Sequence, residues 1–187
     1  MSPVFDPDQF DNLPLFAQVL VAARMVRRGA LALSGTSDPL QSTILDTCDV
    51  IEQCAFAGDG LDRAAGLLDR AGRLRDGAPA TADSVCESLW WTIDAARAAQ
   101  AANDFPVDST VTRSARNALG SLAADPRVSR LQLNILAAAD VDQVRFACGE
   151  ARIGRYDGLS AYVRERLAPV SALTLTDPVP SPEDLAR

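Results

Sequence analysis

Between Pro14 and Leu167 the apolar residues recur every three or four positions, in runs cut by Gly and Pro, and no stretch alternates with period two. Spacing of that kind places one apolar stripe along a helix and gives a strand no apolar face. The inventory agrees, with 54 Leu and Ala against 19 Val and Ile, a surplus of strong helix formers over β-branched residues. At 187 residues the chain has the size of one domain, large enough to bury a core without a disulfide or a metal. The expectation is an all-α fold: a single compact bundle of about six or seven helices over residues 1–169. From residue 170 the periodicity stops and Pro, Ser, Thr and acids take over, so 170–187 reads as a Pro-rich acidic tail.

Punctuation divides the bundle. Pro14 opens a helix that runs to Leu33, with Phe16, Val19, Leu20 and Ala23 on one face, and Ser34-Gly35 ends it. Asp38-Pro39 starts the next, whose stripe is Leu40, Ile44, Cys48, Ile51 and Ala55, and Gly58 and Gly60 break it. A near-repeat of seven residues fills Leu61 to Arg75, with Gly66 and Gly72 as sites where a neighbour could approach. Thr81 or Asp83 caps a helix reaching Asn103, closed by Phe105-Pro106. Another runs from Asp108-Ser109 to Ala124. Asp125-Pro126 repeats the capped start and leads Val128, Leu131, Ile135 and Leu136 into a further helix, and Asp140-x-x-Gln143 resembles a capping box that either opens a new helix or kinks this one. Asp157-Gly158 caps the last, Leu159 to Leu167. The expected core is Phe16, Leu20, Ile44, Cys48, Ile51, Leu61, Leu68, Leu89, Ile93, Leu122, Ile135 and Val144.

Two zeros bound the chemistry: there is no His, and all 18 basic residues are Arg. His bases and ligands, Lys Schiff bases and the phosphate-loop Lys are all removed at once. The formal charge of −7 and pI near 4.6 oppose nucleic acid and anionic membranes as partners. Met1 to Asp11 has no basic or apolar region of a secretory signal, and Leu13 to Ala23 is too short to span a bilayer, which points to the cytoplasm. There Cys48, Cys54, Cys86 and Cys148 act as small hydrophobes; none forms a Cys-x-x-Cys pair. The groups Arg24, Arg27, Arg28 and Arg145, Arg152, Arg155 read as solvated faces and carboxylate pairs.

Trp90-Trp91 is the most informative pair. Adjacent helical residues lie about 100° apart, so both cannot point into one core, and one must sit at its margin. Glu87, Asp94 and Arg97 surround them at helical spacing, as Glu87–Trp91 and Asp94–Arg97 surface pairs. These five form the candidate partner-binding surface, since a marginal Trp is a frequent interface anchor. No catalytic, cofactor-binding or metal-ligating residue is identified: Glu occurs only five times, and no Glu-x-x-His exists.

Phe10 through Arg24, Ile44-Leu45-Asp46, Trp91-x-Ile93-Asp94-Ala95 and Asp125-Pro126-x-Val128, taken in order, resemble the YjaG-like family of bacterial helical proteins of unknown function. In style the chain is also similar to helical immunity proteins of toxin systems. The resemblance implies an all-α fold and carries over no catalytic residue. The expected function is therefore a non-enzymatic protein that binds another protein or itself, a homodimer included. The alternatives are an acidic immunity protein neutralising a basic toxin, and a carboxylate-based enzyme or cation-binding bundle.

Overall fold

A computed structural model describes residues 4–33, 38–102 and 108–170. Among them there are eight α-helices and no strand, so the chain is all-α. In order these are α1 (Pro7–Asp11), α2 (Leu15–Leu33), α3 (Asp38–Ala57), a 3-10 turn (Leu61–Ala64), α4 (Ala65–Gly77), α5 (Asp83–Ala101), α6 (Asp108–Ala123), α7 (Arg130–Ala151) and α8 (Ser160–Arg166). The turn signals Ser34-Gly35 and Phe105-Pro106, and the tail from 171 on, lie outside the described residues. None of these helices is long and apolar enough to cross a membrane.

α2 forms the axis of the bundle. From Leu15 to Val26 every residue is buried, and α3, α5, α6 and α7 pack around it, as a helix apolar on all sides requires. Its one early polar interruption, Gln18, is fully buried and fully used. The amide donates to the Asp11 and Leu13 carbonyls (both 3.1 Å), while its oxygen accepts from Thr112 (2.8 Å). Small residues close the α5–α6 seam, where the Ser88 hydroxyl donates to the Ala118 carbonyl (2.6 Å).

The helix beyond the expected number is α1. Asp6 caps it by accepting from the Asp8 amide (2.9 Å), Pro7 starts it, and Phe10 is buried under it. Four expected caps differ. The N-cap of α5 is Ala82, with no side-chain hydrogen bond, so neither Thr81 nor Asp83 caps that helix. Asp125-Pro126 forms a turn before α7, and the N-cap is Ser129, which accepts from the Gln132 amide. Asp125 instead accepts from Arg127 and, at 2.6 Å, from Ser84 of α5. Asp157 accepts from the Gly154 amide (3.0 Å), and α8 has no side-chain cap. Asp140 opens no new helix: α7 runs unbroken through it for 22 residues.

That continuity displaces one expected core residue. Ile135 and Val144 are nine positions apart, about 900° or half a turn out of phase on a single helix. Val144 is fully buried, so Ile135 lies only half-buried on the far side. The other expected core positions are buried. Gly58, at φ +82°, ends α3 and meets Gly158 so closely that a Cβ on Gly158 would stand 2.5 Å from the Gly58 nitrogen. Only glycine fits that crossing. Gly72, by contrast, adjoins Trp90, and Gly66 faces open space.

Arg24 and Arg28 of α2 depart most from the sequence reading. They are 6% and 5% exposed, not solvated, and converge on Asp140 of α7, itself 1% exposed. Arg24 Nε and Arg28 Nη2 each donate to the carboxylate at 3.1 Å. Arg24 Nη2 also donates to the Ala168 carbonyl beyond α8 (2.9 Å). Two guanidinium groups thus share one carboxylate, and Arg28 Nε has no partner among the described residues.

Removing that carboxylate strands two buried cations, so Asp140→Ala is expected to cost about 3–5 kcal/mol in urea unfolding, whereas replacing Arg24, Arg28 and Asp140 together by Met, Met and Leu is expected to be neutral or stabilising. A loss under 1 kcal/mol for Asp140→Ala contradicts the account. A second prediction concerns pH. Hydrogen bonds from Arg127, opposed by partial burial and helped by Ser84, hold the Asp125 carboxyl well below the usual carboxylate range. A depressed folded-state value stabilises above the unfolded value of about 3.9, and that stabilisation is lost as pH falls below it. Asp125→Asn is therefore expected to lose about 1–3 kcal/mol at pH 7 and progressively less as pH falls below about 4. Parallel urea titrations at pH 7 and pH 3 check it; an equal loss at both contradicts it.

Candidate functional site

The tryptophan surface is drawn into the fold. Trp90 and Trp91 are both half-buried, their rings edge to face with centroids 4.6 Å apart at 82°. Arg75 of α4 stands 4.5 Å over the Trp90 ring, and Trp91 packs against the core. Arg97 pairs with Asp69 of α4 (2.8 Å) instead of Asp94, while Asp94 accepts from Ser114 of α6 (2.6 Å). Glu87 is half-buried beside them. The five residues share α5, but Trp90, Asp94 and Arg97 each spend a functional group on a neighbouring helix. What they form is mainly the joint of α5 with α4 and α6.

A different surface is left open on α7. Its inner side carries Leu133, Ala137, Asp140, Val141, Val144, Ala147 and Cys148, all buried. At 100° per residue, Leu131, Ile135, Ala139, Asp142 and Phe146 cluster within about 80° of one another on the opposite side. Leu131 is 50% exposed and Phe146 69%, the most exposed aromatic side chain among the described residues. Ile135 and Ala139 are half-buried, and neither belongs to the core cluster. The single charge there, Asp142, accepts from Arg145 one turn on (3.1 Å). An amphipathic helix would be polar on this side; α7 is apolar on both.

The flanks of this ridge are defined. On one side α8 and its exit close in: Glu150 accepts from Arg166 (3.1 Å) and Tyr162 (3.4 Å), and Gln143 accepts from the Ala168 amide (3.3 Å). Arg166 lies across the Tyr162 ring. On the other side an open apolar cleft of about 240 Å³ runs between α6 and α7, lined by Phe5, Leu119, Ala123, Leu133 and Ala137. The sequence does not single out Phe146, because a lone aromatic has no distinguishing neighbours. Its only signal is that it shares the face of Leu131 and Ile135 once α7 is unbroken.

Reactive groups are few. All four cysteines are unpaired and buried. Burial pushes the Cys54 thiol up to about 12 and those of Cys86 and Cys148 up to about 11, and raises Cys48 further still. The thiolate is the nucleophile, so at neutral pH these groups stay protonated. Among the described residues no three Cys, Asp or Glu side chains gather to hold a metal ion. A polar cleft of about 500 Å³ at the start of α6 is crossed by Arg116–Asp11 and Arg155–Asp108 ion pairs. Comparison of the chain with protein-family models, curated proteins and solved structures finds no match.

Proposed function

We propose that this chain is a non-enzymatic interaction protein that docks through the outer face of α7. The observation that carries the reading is the apolar ridge of Leu131, Ile135, Ala139 and Phe146 on the side of α7 turned away from the core. Leaving a phenylalanine largely in water forgoes part of the roughly 1.5–3 kcal/mol its burial would contribute. Scattered single apolar residues are ordinary on surfaces, but these share one helix face rimmed by Asn134, Arg145 and Glu150, the apolar-centre, polar-rim arrangement of docking sites. The chemistry points the same way, since a chain without His or Lys and with four buried thiols offers few nucleophiles or bases. Trp90 is a weaker anchor because Arg75 already covers its ring.

A photoreactive phenylalanine analogue placed at 146, at 90, and at the exposed Arg73 of α4 tests this in living cells. Protein adducts are expected from position 146 at several times the yield from 73 or 90. Adducts from 90 with none from 146 would return the function to the tryptophan pair, and equal yields from all three would remove the reading.

A further inference from the structure

The charges along α7 identify the kind of partner, and this inference rests on α7 being the docking face. At 100° per residue, Arg130, Asn134, Arg145 and Arg152 fall within about 60° of one another. They form one exposed edge of the ridge, turned toward the α6 cleft, while Gln132, Gln143 and Glu150 form the other. Glu150 is held by Arg166, and Asp142 by Arg145. No ion pair joins Arg130 or Arg152 to a carboxylate among the described residues. A chain of net charge −7 thus sets a cationic edge beside its exposed apolar ridge.

Neither of those two arginines serves the helix. Arg130 is the first residue of α7, in a first turn without an acid, where the positive end of the helix dipole disfavours a cation. Arg152 takes the left-handed C-cap at φ +54°, a conformation that favours glycine. Rules of local structure are broken chiefly at functional positions, and here both breaks put a guanidinium at an end of the same edge.

The apolar part fixes the form of the occupant. From Leu131 to Phe146 the ridge follows helical spacing over about 23 Å, which a second helix laid along α7 can match turn for turn. At physiological salt, charges act over about 8 Å, so the arginines beside the ridge outweigh acids elsewhere on the molecule. A basic helix would set cation against cation. An anionic bilayer presents its charge on every side, toward Asp142 and Glu150 as well, whereas the unpaired arginines lie on one edge only. We propose that the outer face of α7 receives an acidic amphipathic helix of another protein, with its apolar stripe over Leu131, Ile135 and Phe146 and its carboxylates against Arg130, Arg145 and Arg152.

Arg130→Glu combined with Arg152→Gly is the informative variant. Each change suits α7 better than the native residue, so the urea midpoint is expected to hold or rise while docking is lost. The photoreactive phenylalanine analogue at 146 supplies the readout in living cells, with its adducts sequenced by mass spectrometry. The attachment point is expected in a segment whose apolar residues recur every three or four positions and whose acids outnumber its basic residues. In the double variant the adduct yield is expected to fall at least fivefold. A lipid adduct, a basic or uncharged segment, a second copy of this chain, or an unchanged yield in the double variant overturns the proposal. So does a loss of yield matched by a lower urea midpoint, which would make the arginines structural. Adducts from 146 on a protein segment of another kind leave the docking face standing and remove the acidic helix; with no adduct at 146 both fall.

Discussion

The meeting of Arg24 and Arg28 with Asp140 sets the rotation of α7, and most of the surface follows from it. α7 has two apolar sides half a turn apart, one with Leu133, Ala137, Val141 and Val144, the other with Leu131, Ile135 and Phe146. Hydrophobic burial alone barely distinguishes them, and the second has the larger side chains. The first side includes Asp140, whose burial is unfavourable without a partner. Two arginines one turn apart on α2 supply it. With Asp140 fixed inward, Phe146 has nowhere to go but out. A buried charge pair is weak evidence for stability, because apolar groups of like volume often do as well. Its contribution here is selection between two ways of seating one helix.

Further contacts hold α7 in that setting. Beyond its C-terminus, Arg155 donates to the Asp11 and Leu13 carbonyls and to Asp108, while its own carbonyl accepts from the Leu15 amide. Those bonds tie the end of α7 to the starts of α2 and α6. The Leu159 amide donates to the Ala55 carbonyl beside the Gly58–Gly158 crossing, which brings α8 down onto the end of α3. Before its N-terminus, Asp125 links Arg127 to Ser84 of α5. A helix held at both ends and keyed in the middle has little backbone freedom left, which would lower the cost of the proposed docking.

The helices and most of the core were legible because both depend on local spacing and punctuation. Leu20, Ile51, Leu89 and Leu122 are buried because each lies on a stripe flanked by clear starts and stops. What could not be read was anything set by residues distant in sequence. Asp140 looked like a helix start because an acid in an apolar run is usually a cap, and its partners lie more than 110 residues away. Placing both Ile135 and Val144 inside followed from that break. Arg97 was assigned to Asp94 on its own helix, but Asp69 of α4 holds it, and no spacing rule reports on a neighbouring helix. Asp125-Pro126 has the residues of a cap, yet Ser129 stands nearer the first turn of α7 and takes the role.

The same reasoning shows why the strongest sequence signal for an interface, the tryptophan pair of α5, lies on residues that neighbouring helices also use. Tryptophans attract notice because they are large, but large rings also recruit whatever is nearby: Arg75 on Trp90, the core on Trp91. Among the described residues Phe146 has no such partner: α8 meets α7 at Glu150 and Gln143, and the open cleft beside α6 is lined by Leu133 and Ala137. On α7 the face left unclaimed among the described residues is also the face with one neutralised charge, which is where the proposed docking would work least against the acidic charge of the chain.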